Sequence, residues 1–265
     1  MDVILVPGLW LDASSWDAVV PALGRAGHVP HPLTMPGVGE PAAASAHVRL
    51  DDWVGSVVGE IDRCASPVAL VGHSGGGNVV WAAADARPAH VSHVVFVDTV
   101  PPASGFGISQ FPERDGVVPF PGWEFFDGAD IEDLDDSTRN AVRLGSVPLR
   151  VPTDAVELSD PARFAIPVTV MSGRQAEHEL RAELAHWGPW ADEFDAIRDV
   201  EVMHLDTGHW PQLSRPDALA DAIVASLARP PGRLTSAASR RHECSAPGGP
   251  VLEQVVRCAT TSVPE

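Results

Sequence analysis

Four apolar residues, Val68-Ala69-Leu70-Val71, run directly into Gly72-His73-Ser74-Gly75-Gly76, and the helix-compatible stretch Asn78-Val79-Val80-Trp81-Ala82-Ala83-Ala84 follows. This succession constrains the fold more than any other part of the chain. A buried strand has to turn abruptly into a helix with a serine at the apex. Such a turn lifts the serine hydroxyl out of the sheet. The flanking glycines let the backbone bend sharply and leave room above the hydroxyl for a reacting carbon. In a chain with 23 glycines among 265 residues the G-x-S-x-G pattern alone says little. The strand before it and the helix after it give it meaning.

Strand-like and helix-like runs alternate along the rest of the chain, as in a parallel sheet covered on both faces. Strands are expected near 3–6, 29–33, 68–71, 91–97, 168–171 and 200–205. Helices are expected from Ser14 to just before Gly24, with Ser14 and Asp17 as a capping box, and from Asp51 to Cys64. Further helices should follow Ser74, span 177–197 with a break at Gly188-Pro189, and run from Pro216 to Ala228. The expected fold class is α/β: a doubly wound, mostly parallel sheet of about six strands, with helices on both faces and a short cap insertion. Residues 1–98 and 166–228 read as the core. Residues 99–165 are proline-rich and acidic, and so long an interruption reads as a cap or lid. Within it, Asp130-Ile131-Glu132-Asp133-Leu134-Asp135-Asp136 reads as a solvated face, without the glycine and spacing of a calcium loop. Residues 229–265 carry Pro-Pro-Gly and Ala-Pro-Gly-Gly pieces and read as a disordered tail.

Composition narrows the chemistry. A formal charge of −18 argues against nucleic acid and against anionic membranes as partners. No apolar run approaches the ~18 residues of a membrane span, and the chain enters a strand at once, so a cytoplasmic location is expected. Cys64, Cys244 and Cys258 are odd in number and widely spaced, which suggests neither a disulfide framework nor a zinc site. The sequence contains no lysine, which removes Schiff-base chemistry, the P-loop lysine and a Ser-Lys dyad.

A serine hydroxyl is a poor nucleophile until a neighbouring base takes its proton. Of the eleven histidines, only His209 sits in a Gly-His loop at the end of a final strand, in Leu205-Asp206-Thr207-Gly208-His209-Trp210-Pro211. It can hang over the strand ends where Ser74 points. His73, beside the serine, reads as a turn residue packed beneath the elbow. The oxyanion of an attacked carbonyl needs preorganised donors, expected to be the N–H groups of Gly75 and Leu9, the latter in the loop Pro7-Gly8-Leu9-Trp10.

The order of these motifs resembles the α/β-hydrolase superfamily across residues 2–228, and in particular its small esterase and hydroxynitrile-lyase group. Pro7 stands where that group carries a histidine, whereas Gly8 and Trp16 match. The resemblance implies a third member orienting the histidine, which in most of the superfamily is an aspartate after the next-to-last strand. Here that turn reads Ser172-Gly173-Arg174-Gln175-Ala176-Glu177, with no aspartate. Asp98, at the end of Val94-Val95-Phe96-Val97, resembles the subset that carries the acid one strand earlier, and is the favoured candidate. Glu177 is the alternative, and an absent acid is the third possibility. The serine excludes the aspartate-nucleophile mechanisms of dehalogenases and epoxide hydrolases, and the lyases of this group require a lysine. The expectation is a serine hydrolase of a small neutral ester or lactone, with catalytic Ser74, His209 and Asp98 and no metal or cofactor. The alternative is a ligand-binding protein of the same fold with little or no turnover. Trp10, Phe106, Phe120, Trp123, Phe125, Phe126 and Trp210 are expected around an apolar pocket, with Trp10, Trp123 and Trp210 foremost.

Overall fold

The computed structural model describes residues 1–229. Six strands, β1 (Asp2–Val6), β2 (Val29–Pro32), β3 (Val68–His73), β4 (Val91–Val97), β5 (Val168–Ser172) and β6 (Val200–His204), form one sheet. All neighbours are parallel, in the order β2-β1-β3-β4-β5-β6. The principal helices are α1 (Val20–Arg25), α2 (Leu50–Ile61), α3 (Gly76–Ala86), α4 (Glu177–Leu184), α5 (Pro189–Ala196) and α6 (Pro216–Leu227).

Strand residues alternate between two cores because successive side chains leave opposite faces of the sheet. Ile4, Val6, Leu70, Val94, Phe96 and Val170 pack on the side of α2, α3, α4 and α5, with Trp53, Trp81 and Phe194. Val3, Leu5, Val71, Val95 and Val97 pack with Trp16, Leu23, Leu219 and Ile223 on the side of α1 and α6. The register aligns Val6 with Gly72, Gly72 with Phe96, and Val97 with Met171, so the loops after β1, β3, β4 and β5 emerge along one edge. The chain winds away in opposite directions from β1 and β3, and the crevice above such a reversal is where open α/β sheets bind ligands.

The first helix differs from expectation. Asp12, not Ser14, caps: its Oδ1 accepts the Ser14 N–H at 2.9 Å over a single 3-10 turn, Ala13–Trp16. α1 then begins only at Val20 and runs through Gly24. Pro21 explains the break, since proline fits the first turn of a helix but would remove a hydrogen bond from the interior of a longer one. The break at Gly188-Pro189 separates α4 from α5.

Residues 99–165 contain short helices and an antiparallel pairing of Val117-Val118 with Val147-Pro148. They are tied across the strand-end edge by Gly145 N–H donating to Trp10 C=O at 2.8 Å and His209 N–H donating to Asp130 C=O at 2.8 Å. The stretch expected as a tail, with Cys244 and Cys258, lies from residue 230 onward outside the described residues. No helix among the described residues is long and apolar enough to cross a membrane.

Where the segment returns to the sheet, Arg163 is buried in a charged cluster. Its guanidinium donates to Glu193 Oε1 and Oε2 at 2.8 and 2.9 Å and to Asp85 Oδ1 at 3.0 Å. Trp81 Nε1 donates to Glu193 at 2.7 Å, and Asp85 also accepts the N–H groups of Ser159 and Asp160. Removing one partner of a buried ion pair strands the others' charge. Arg163→Ala is therefore expected to destabilise the protein by roughly 3–5 kcal/mol. In a calorimeter that is a Tm lower by about 10 °C, whereas Arg87→Ala, which opens the exposed pair with Asp62, leaves Tm unchanged.

Candidate active site

Ser74 sits at the elbow in a left-handed conformation, φ +50°. Its N–H donates to Val97 C=O at 3.1 Å, and its C=O accepts the Gly77 N–H at 2.8 Å, clamping the turn between β4 and α3. The glycines are required by close approach. A Cβ at Gly76 would lie 2.6 Å from Pro7 O, and one at Gly72 would lie 2.6 Å from Gly76 O. The strained serine backbone is held by this packing, and such strain concentrates at working sites.

Ser74 Oγ lies 3.0 Å from His209 Nε2, and His209 Nδ1 lies 2.6 Å from Asp98 Oδ2. A carboxylate can only accept, so Nδ1 carries the proton and Nε2 faces the serine hydroxyl as acceptor. Asp98, itself at φ +47°, is held by its N–H donating to Met171 C=O and by its Oδ1 accepting the Gly173 N–H at 2.8 Å. Burial pushes the Asp98 carboxyl up, but the hydrogen bonds and charge of His209, joined by Gly173, outweigh it and hold it below the usual carboxylate range. Burial likewise opposes a charged His209. The bond and charge of Asp98, with the charge of Asp130, outweigh burial and hold the imidazole above its ordinary 6.5.

Glu177 is not brought to this group. It opens α4, half-exposed, and accepts from Arg181 Nε at 2.9 Å one turn further on. His73 is buried beneath the elbow, its ring centroid 5.0 Å from that of His209. Its Nε2 donates to His209 C=O at 2.7 Å, while Nδ1 accepts from Gln212 Nε2 at 3.1 Å. Burial and then the neighbouring His209 push its pKa down to about 3, so it stays neutral and acts as a post under the His209 loop.

A pocket opens beside Ser74 and His209. Leu9, Trp10, Ile108, Phe111, Phe125 and Phe126 form its apolar wall. Leu9 and Gly75 both border it, and among the described residues neither N–H donates a hydrogen bond. Two of the three tryptophans expected here are elsewhere. Trp123 and Trp210 meet edge-to-face, centroids 5.2 Å apart, in a separate core with Leu11 and Leu134. Trp210 also packs edge-to-face on Phe126, ring centroids 4.8 Å apart. Phe106 lies against Trp190 at the surface, and Phe120 packs on Trp10 without reaching the pocket.

The acidic run is only in part the solvated face that its composition suggests: Glu132, Asp135 and Asp136 are exposed, whereas two of its acids turn inward. Asp130 is 4% exposed and borders the pocket, and Asp133 Oδ2 accepts the Gly208 N–H at 2.8 Å. Burial raises the Asp130 carboxyl to about 6, His209 pulling it down and Asp98 pushing it up. Gly208 is needed because a Cβ there would lie 2.3 Å from Asp130 O. The signal in the sequence was Ile131 and Leu134, three apart among the acids, which mark one face of the run as inward. A trio of possible metal ligands, Asp2, His31 and Cys64, lies at the opposite end of the strands, where His31 is taken up by Asp2 and Glu60 at 2.9 and 3.0 Å.

A model of the alpha/beta hydrolase family matches residues 3–222. The chain belongs to that family. A carbendazim hydrolyzing esterase from Nocardioides sp. (strain SG-4G) is 25% identical over 240 residues, 84% of this chain and 98% of that protein. Among solved structures, a pyrethroid hydrolase from Sphingobium faniae JZ-2 superposes with TM-score 0.63 at 20% identity, over 86% of this chain and 98% of its own. A methylesterase from Arabidopsis superposes with TM-score 0.65 at 19% identity, over 86% and 98%. These two structures share the fold. In this alpha/beta hydrolase the turn after β5 carries Arg174 and Gln175 into the pocket wall, and the carboxylate beside His209 comes from the end of β4.

Proposed function

We propose that the protein hydrolyses small neutral carboxylic esters or lactones through an acyl-enzyme on Ser74. The observation that carries this reading is the unbroken hydrogen-bonded line Asp98–His209–Ser74 beside a pocket with an apolar wall. His209 Nε2 takes the hydroxyl proton as Ser74 Oγ attacks the ester carbonyl. Asp98 holds the ring in the required tautomer and stabilises the imidazolium that forms. The carbonyl oxygen, now negative, turns towards the Leu9 and Gly75 N–H groups. Nε2–H then protonates the departing alkoxide. A water, deprotonated by the same nitrogen, attacks the acyl carbon, the bond from that carbon to Ser74 Oγ breaks to release the acid, and Nε2–H returns the proton to Oγ. Residues 99–165 act as a cap, contributing Ile108, Phe111, Phe125 and Phe126 to the apolar wall. The relatives' names, an esterase, a pyrethroid hydrolase and a methylesterase, support ester hydrolysis.

The test is p-nitrophenyl butyrate in a rapid-mixing assay together with a fluorophosphonate label. Hydrolysis with label on Ser74 alone, read by peptide mass spectrometry, is the expected outcome. Tight binding of esters with neither turnover nor label would leave a binding protein instead.

The pH profile follows from His209. The base must be neutral, and its pKa is raised, so kcat/KM is lost as pH falls through a midpoint above 6.5. Stopped assays from pH 5 to 9 read that limb, and Asp98→Asn moves it to lower pH because the opposing charge is gone.

A further inference from the structure

The pocket has a second character that ester hydrolysis alone does not use. Besides the apolar wall, its lining includes the polar side chains of Ser109, Asp130, Ser172, Arg174 and Gln175. Asp130 and Ser109 are 4% and 5% exposed, and Asp130 Oδ1 and Ser109 Oγ have no hydrogen-bond partner among the described residues. Arg174 Nη1 is 3.9 Å from Asp130 Oδ1, too far for a hydrogen bond. Buried polar groups are nearly always paired, and an unpaired one on a pocket wall calls for a partner that enters the pocket. Asp130 is also fixed with respect to the reacting atoms, because its own C=O receives the His209 N–H at 2.8 Å.

We propose that Asp130 is a specificity-determining residue that accepts a hydrogen bond from an N–H group in the alcohol half of the substrate, so that the preferred substrates are esters of amide- or carbamate-bearing alcohols. The half is assigned by His209. Its Nε2 must reach the leaving oxygen to protonate it, so the departing alcohol lies on the side of the pocket that carries His209, and Asp130 is bonded to that residue. The acyl half is left to Leu9, Trp10 and Ile108, beside the two free N–H groups. Arg174 tempers the negative charge of Asp130 without occupying its acceptor. The inference rests on the ester-hydrolase reading above.

Two esters isolate the contact: 2-acetamidoethyl butyrate and 4-oxopentyl butyrate, which differ only in N–H against CH2. The expected wild-type preference in kcat/KM for the amide is about tenfold or more, since a site built around a hydrogen bond rejects the analogue lacking it. Asp130→Ala brings the ratio to about one. Asp130→Asn, which retains a carbonyl oxygen and the side-chain shape, keeps an intermediate ratio and serves should the alanine variant fold poorly. Calorimetric Kd values of the two esters for Ser74→Ala protein read the same ratio without turnover. A ratio near one in the wild type, or one unchanged by both substitutions, overturns the proposal. Failure of the hydrolase reading is distinct: neither ester is turned over, while the Kd ratio still reports on Asp130.

Discussion

Ser74→Ala is expected to lower kcat on p-nitrophenyl butyrate by about 10⁶-fold. In the proposed mechanism the substitution removes the atom that would bond to the acyl carbon, and nothing nearby replaces it. His209 could still activate a water. Such a water, however, has no fixed position equivalent to Oγ, which the elbow places 3.0 Å from Nε2. The fold should survive. Alanine at φ +50° carries the same backbone strain as serine, and the bonds that clamp the turn are made by the Ser74 main chain. Substrate affinity should therefore change little while turnover collapses. The residual rate, about 10³–10⁴ above water, would come from binding and from the Leu9 and Gly75 N–H groups. A loss of only tenfold, with circular dichroism and Tm unchanged, would mean that the serine is a bystander.

Asp98→Asn is expected to lower kcat by about 10⁴-fold, and Glu177→Gln by less than about twofold. The asparagine amide can donate to Nδ1, which would draw the ring into the tautomer with its proton on Nε2. That nitrogen then faces Ser74 as a donor and cannot take the hydroxyl proton. Asparagine tolerates the left-handed conformation that Asp98 adopts, so the turn after β4 should be preserved and the loss should be chemical. Glu177 has its own partner in Arg181 and no path to the imidazole. Steady-state kinetics of the two variants side by side, with burst amplitudes to count competent sites, distinguish them. The reverse pattern would place the acid on the turn after β5.

Much of this architecture could be read from local sequence, and the reasons are specific. The run 68–84 was legible because strand, sharp turn and helix are set by neighbours in the chain. Apolar β-branched residues, glycines that permit 2.6 Å approaches and an alanine-rich helix stand in order. The two-sided core was legible because period-two alternation assigns Val3 and Leu5 to one face and Ile4 and Val6 to the other. The start of α1 was misjudged because capping residues recur at Asp12, Ser14 and Asp17, and only the position of Pro21 separates them. Of the expected aromatics Trp10, Phe125 and Phe126 line the pocket, and Trp123 was misassigned because it and Phe125 are two residues apart in one 3-10 turn. That turn sends the phenylalanine to the pocket and the tryptophan to the core with Trp210.

The sequence by itself determined the fold class, the serine at the elbow and the histidine after the last strand, because each depends on patterns within a few residues. The tertiary structure alone decided which carboxylate meets His209, which aromatics face the pocket and that Asp130 is buried beside it. Asp98 and His209 are 111 residues apart in sequence, and a 2.6 Å contact between them exists only because β4, β5 and β6 end in register and the loop rests on His73. A hydrogen bond is lost when its partners move by about an ångström. Periodicity and composition carry no information at that scale, whereas the packed strand ends do.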